Sequence, residues 1–349
     1  MIKKNLVQIT DFIIHKVGNK YNSTRNVFSD NTLLFEEESY KMMLNFLLKP
    51  FLNLTDSYRF THHADINLNE MNSYSNALFS GKGDFVEISK NIVKHLYEQS
   101  NSANIKTGDV IVARFEGIGL NDIVTDAIGV FKIENKMDFF QTYIEGNQIE
   151  VIVTEGISPK RLDKGCLIVN TSDREGKYVF SVDNNTYDAQ YWIKNFLQIK
   201  LADDIHQQTK NYLALCSAFS DEIIKENLGK KEQSEFLANT IDFFKEHDVV
   251  ENQEFVQTVF EEEDQIVRFT EFKKEFESVN DITLRNHFPI SPKVVKKQKK
   301  AFKTQISLDT NIKIQIDVDA PDAAAYYLER GYDENKKMKY YKVYYNEEK

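Results

Sequence analysis

Between residues 109 and 182 the chain runs one strand-like piece after another, and the separators are short. Residues 109–115, 126–133, 148–153, 164–170 and 178–182 are apolar runs of strand length. Lys106-Thr107-Gly108, Glu145-Gly146-Asn147 and Arg174-Glu175-Gly176 are turn-forming triplets. Spacing of this kind is mostly antiparallel and predicts a curved sheet in an α+β domain. Ahead of it, residues 6–17 read as a strand carrying Val7, Ile9, Phe12, Ile14 and Val17. Residues 37–52 read as a helix stopped near Pro50, and residues 89–100 as a second amphipathic helix.

From Ala189 onward the period becomes helical. Residues 190–197 and 204–215 predict helices, and 221–276 several more, broken most obviously at Gly229. Between Asp221 and Glu277 the acidic residues outnumber Lys and Arg by 17 to 7, a deficit equal to the whole chain's net charge of −10. A third character begins at Pro292, where Lys293, Lys296, Lys297, Lys299, Lys300 and Lys303 follow one another with no acidic residue as far as Thr304. Strands are expected at 302–308, 312–318, 325–329 and 339–345. The fold class predicted is therefore α+β: an N-terminal mixed domain with a largely antiparallel sheet over 1–200, an acidic helical segment over 201–285, and a basic helix leading into a small C-terminal antiparallel sheet over 286–349.

The charge bounds the function. A protein that simply blankets DNA is usually basic overall, so nucleic-acid binding here requires basic charge gathered locally. No run approaches the roughly 20 apolar residues of a membrane-spanning helix, and no secretory segment follows the first lysines. Cys166 and Cys216 are too few for a disulfide scaffold and lack metal-ligand spacing. The expectation is a cytoplasmic chain with two buried thiols, no membrane contact, no cofactor, and neither catalytic nor metal-binding residues.

A series of phrases runs along nearly the whole chain. They include His15-Lys16-Val17-Gly18-Asn19-Lys20, Phe46-Leu47-Leu48-Lys49-Pro50-Phe51, Tyr58-Arg59-Phe60-Thr61-His62 and Lys94-His95-Leu96-Tyr97-Glu98. The long phrase from Asp126 to Lys136, the phrase from Leu162 to Thr171, Ala189-Gln190-Tyr191-Trp192 and Tyr340-Tyr341-Lys342-Val343-Tyr344-Tyr345 complete the set. In their order and spacing these phrases resemble the bacterial nucleoid-associated family called NdpA or YejK. That resemblance implies a cytoplasmic protein that sits on the nucleoid and binds DNA, without catalytic residues or a known cofactor. It supplies no residue-level DNA contacts, so these are read from chemistry.

The candidate DNA-binding residues are Lys293, Lys296, Lys297, Lys299, Lys300 and Lys303, with Arg59 between two aromatic residues. On a helix, Lys293, Lys296, Lys297 and Lys300 share one face, with Lys303 a turn further on. Such a row follows phosphates rather than bases and makes binding of double-stranded DNA salt-sensitive. The alternative is an adaptor whose acidic segment holds a basic DNA-handling protein. A third, more distant reading is a Mg²⁺-dependent nuclease using Glu134-Asn135-Lys136 with Asp109 or Asp126. His15, His62 and His63 are expected in packing roles. A homodimer would double the basic row, although no heptad marks one.

Overall fold

The computed structural model describes residues 2–4, 6–121, 123–171, 176–184, 190–299, 302–317 and 327–347, with the backbone alone at 303–305 and 316–317. The chain divides into two compact units, 1–202 and 203–349.

The first unit is built on an antiparallel sheet. Strands β1 (Ile2–Lys3), β2 (Gln8–Val17), β3 (Tyr58–Phe60), β4 (Gly108–Leu120), β5 (Ile123–Ile133), β8 (Lys164–Val169), β9 (Tyr178–Asp183) and β10 (Ile199–Leu201) form it. Their order is β1-β4-β5-β8-β9-β3-β10, with β2 also paired to β4. Strands β6 (Met137–Glu145) and β7 (Gln148–Gly156) of this unit pair with each other and, among the described residues, with no other strand.

Both faces of the large sheet are covered. Helices α2 (Glu70–Phe79) and α3 (Phe85–Glu98), with a wide helical segment Tyr191–Leu197, bury Met71, Ile92, Val93, Leu96 and Trp192 against Val110, Val112, Val130 and Ile168. Helix α1 (Glu37–Leu48) brings Phe46, Leu47 and Leu48 against Ile111, Ala113, Phe131 and Leu167 on the other face. With apolar neighbours on both sides, the middle of β4 has no polar alternation, which explains the continuous run Val110-Ile111-Val112-Ala113. Helix α3 starts where Asp84 accepts the Glu87 backbone N–H at 2.8 Å. It therefore begins ahead of the predicted residue 89.

The second unit is mostly helical. It comprises α4 (Ile205–Phe219), α5 (Lys225–Asn227), α6 (Lys230–Glu246), α7 (Asn252–Val259), α8 (Glu263–Asn280) and α9 (Pro292–Gln298). Short strands β11 (Val249–Glu251) and β12 (His287–Pro289) pair between them. Two further hairpins follow, β13 (Lys303–Ser307) with β14 (Lys313–Asp317) and β15 (Leu328–Asp333) with β16 (Met338–Val343). The core is aromatic. Phe219 meets Phe236, Phe260, Phe269 and Phe272 with ring centroids 5.1–5.7 Å apart, geometry that adds to the value of the buried area.

The α+β class stands as expected. The division expected at 285/286 does not appear, because Val294, Val295 and Phe302 are buried in the same cluster as Tyr212, Phe244 and Phe269. The acidic segment and the basic helix share one core, and the acidic helices are its main walls.

Candidate nucleic-acid interface

The basic helix α9 is short and well anchored. Ser291 caps it: its hydroxyl accepts from the Val294 N–H at 3.4 Å and lies 2.6 Å from His206 Nδ1, while its own N–H donates to Thr209 Oγ1 at 3.0 Å. Pro292 occupies the first turn, where its missing N–H costs nothing. Val294 and Val295 are buried in the aromatic core. At about 100° per residue, that inward pair sends Lys293, Lys296 and Lys297 to the outer side of the helix. Lys296 and Lys297 are exposed and Lys293 is half-buried. Burial lowers the Lys293 pKa, and the positive charge of Lys297 lowers it further.

The predicted row is shortened. The helix ends at Gln298 and Lys299 forms its C-cap, so the face carrying Lys293, Lys296 and Lys297 does not continue to Lys303. Lys303 begins β13, opposite Asp317 in the strand register. Lys300 lies outside the described residues.

Arg59 is placed differently from its expectation. It lies in β3 and is only 5% exposed. Its guanidinium sits 3.4 Å from the centre of the Tyr178 ring and donates to the Gly176 carbonyl. An internal stacking partner and a backbone acceptor hold the group inside, where a phosphate backbone does not reach it. The neighbouring His62 and His63, with ring centroids 4.3 Å apart, instead line an open cavity of about 390 Å³ with Thr61, Lys194, Gln198 and Ile199.

The carboxylates of the nuclease reading are each engaged by a cation. Glu134 accepts from Lys132 Nζ at 2.7 Å, Asp109 pairs with Lys136 at 2.9 Å, and Asp126 lies 3.5 Å from Arg114. Glu134 stands just beyond the end of β5 and turns inward, so it does not share a strand face with Lys136. Among the described residues no group of three or more His, Cys, Asp or Glu side chains converges as metal ligands would.

Two features escaped the sequence reading. One is a groove of about 210 Å³ in the helical unit, where Glu232, Glu235, Glu261 and Glu262 surround Phe236, Val259 and Phe260. Burial raises the Glu235 pKa, opposed by Lys231. The Glu261-Glu262 run was legible as charge, but its apolar floor comes from other helices. The other feature is β6, whose existence is implied by the Glu145-Gly146-Asn147 turn: a tight turn ahead of one strand implies a partner behind it.

No helix among the described residues is long and apolar enough to cross a membrane. A comparison with curated proteins finds no match. The family model described as nucleoid-associated protein YejK matches residues 13–339, which takes in all of the large sheet but β1 and the start of β2, the aromatic helical core, α9 and most of the last hairpin. On that match, and in agreement with the phrases along its sequence, the chain belongs to the nucleoid-associated protein YejK family.

Proposed function

We propose that this protein binds double-stranded DNA at the bacterial nucleoid, chiefly through phosphates and without reading base sequence, and that α9 supplies part of the contact. The observation that carries this is the outward display of Lys293, Lys296 and Lys297 by a helix whose valines are locked into the core. On a chain of net charge −10, such a row concentrates positive potential where the rest of the surface repels DNA. Family membership supports a cytoplasmic, nucleoid-associated role.

The test is DNA affinity measured across a salt series for the wild type and for Lys296→Glu/Lys297→Glu. Each phosphate contact contributes about −0.9 to the slope of log K against log salt. The double variant should therefore flatten the slope by about 2 and bind more weakly at every salt concentration, whatever the DNA sequence. Unchanged affinity and slope would end the assignment to α9.

A second reading rests on the acidic groove. Its carboxylates ring an apolar floor, and among the described residues no donor reaches the buried Glu232 Oε2. Such a groove suits a basic amphipathic segment of a DNA-handling protein. Binding of a synthetic Lys- and Leu-containing helical peptide, abolished by Glu261→Lys/Glu262→Lys with DNA affinity not reduced, is the expected result. Equal peptide binding by wild type and variant would remove the groove from consideration.

A further inference from the structure

The most unusual surface of the first unit is its separate hairpin. Strands β6 and β7 pair along their whole length, from Met137 opposite Gly156 to Glu145 opposite Gln148, around a turn in which Gly146 has φ +63°. Neither strand pairs with any other described strand. A lone two-stranded ribbon is at best marginally stable in water, and ribbons that face solvent on both sides normally carry polar side chains. This one does not.

Alternation along the two strands places Phe140 opposite Val153, Thr142 opposite Val151 and Ile144 opposite Ile149 on one face. On that face Phe140 is 82% exposed, Ile144 78%, Ile149 75%, Val153 60% and Val151 55%. The other face carries Met137, Phe139, Tyr143 and Ile152, all of them also exposed. The only charged groups between residues 137 and 156 are Asp138, Glu145, Glu150 and Glu155. A ribbon with four carboxylates and no cation repels phosphates, so neither DNA nor an anionic membrane surface suits it.

We propose that this hairpin is a self-association arm whose Phe140–Ile149 face packs against the same face of a second copy of the chain. The area is sufficient: the five apolar side chains expose roughly 600 Å² per copy, so a stacked pair removes about 1,200 Å², the lower edge of specific interfaces. The charge pattern selects the arrangement. Asp138 and Glu155 stand opposite each other at the base of this face, and its middle is uncharged. A two-fold axis across the strands runs the copies in opposite directions at the roughly 10 Å spacing of stacked sheets. Each carboxylate pair then lies beyond the partner's Gly146-Asn147 turn, in water. Stacking in the same direction would oppose four carboxylates and is disfavoured. The contact is isologous and closes at two copies.

This inference is independent of DNA binding and is tested without DNA. Sedimentation velocity of the full chain over a micromolar concentration series should show a dimer. Ile144→Lys/Val151→Lys should raise the dimer dissociation constant by about a hundredfold or more. The circular dichroism spectrum and melting temperature of the remaining fold should be unchanged, since both positions already face water. As a second measurement, Thr142→Cys lies at the centre of the face and should give a covalent dimer on mild oxidation, whereas Lys82→Cys, on an exposed turn, should not. A wild type that stays monomeric at about 100 μM, far above the range expected for such an interface, overturns the proposal. So does a dimer indifferent to the lysine substitutions and not cross-linked through Thr142→Cys. Capture of a different protein by the hairpin of a monomeric chain also counts against it.

Discussion

His15 Nε2 lies 2.8 Å from Ser89 Oγ, joining β2 to α3 through a buried hydrogen bond. The surrounding geometry selects one protonation state. The Ser29 backbone N–H points at His15 Nδ1 at 3.0 Å, and the Ser89 hydroxyl donates to the Val86 carbonyl at 2.6 Å. Nδ1 must therefore accept and Nε2 must donate, which describes a neutral imidazole. Burial is the main cause that lowers the His15 pKa to about 4; Lys90 lowers it further, against an opposing pull from Asp30. In the unfolded chain the same group titrates near 6.5.

The sign follows from linkage. The unfolded chain binds the proton first, so this contribution to stability is full above about pH 6.5 and declines as the pH falls toward 4. Between those limits the wild type should lose roughly 3 kcal/mol through this group. His15→Gln should be less stable at pH 7.5 but should show a shallower fall in melting temperature down to pH 4. Parallel pH profiles for the two proteins would mean that His15 is not the titrating group.

Glu134 is predicted to matter for folding. Lys132 is fully buried and donates to Glu134 Oε1, the Lys106 carbonyl and the Tyr191 hydroxyl at 2.6–3.0 Å. Burial lowers the Lys132 pKa, and Glu134 opposes that shift. Removing the carboxylate leaves an uncompensated buried charge, at a cost of about 3–5 kcal/mol. Denaturant unfolding of Glu134→Ala should show a loss of that order, and Lys132→Met/Glu134→Leu should recover much of it. A Glu134→Ala protein as stable as wild type would contradict this account.

Cys166 and Cys216 should be silent in the native protein. Both are fully buried, and burial raises both pKa values, Cys166 to about 12. Since the thiolate is the reactive species, a thiol reagent at pH 8 should label neither until denaturant is added. Labelling should then track the unfolding transition. Rapid native labelling of either cysteine would show that its wall of the core opens locally.

Gly18 is required by a close approach rather than by its backbone angle. A Cβ there would lie 1.9 Å from the Thr24 carbonyl oxygen, where the chain doubles back after β2 and the Gly18 N–H donates to Asn26 Oδ1 at 2.8 Å. The atoms that a Cβ would meet are all backbone, of Thr24 and Arg25, and none is a side-chain end that swings away. Gly18→Ala should cost about 2–3 kcal/mol or more, measured as a lowered urea midpoint, while Gly81→Ala, with nothing near its Cβ, should cost less. Equal effects would argue against the steric reading.

Much of the first unit was readable because its signals are local. Turn triplets and strand-length apolar runs located β4, β5, β7, β8 and β9, and Pro50 marked where α1 gives way to a tight turn. Boundaries were displaced where a cap decided them, as Asp84 did for α3. Strand β6 went unread because its apolar side chains occupy both faces, which erases the period-two pattern. The site was less legible. The lysines could be counted, but how many share a face depends on where α9 ends, and that depends on how Val294, Val295 and Phe302 reach the core. Arg59 between aromatic neighbours is the same text whether it faces water or stacks on Tyr178, more than a hundred residues away in the chain.

The sequence by itself determined the class of fold, the antiparallel run of strands, the segregation of acidic and basic charge, and the kinship with nucleoid-associated proteins. These are properties of composition, period and local order, which act over a few residues. Only the tertiary structure decided that the acidic helices and the basic helix share one aromatic core, that Arg59 and Glu134 are internal, and that the β6–β7 ribbon stands apart with its apolar faces in water. Burial and pairing are set by residues distant in the chain, and no local pattern carries that information.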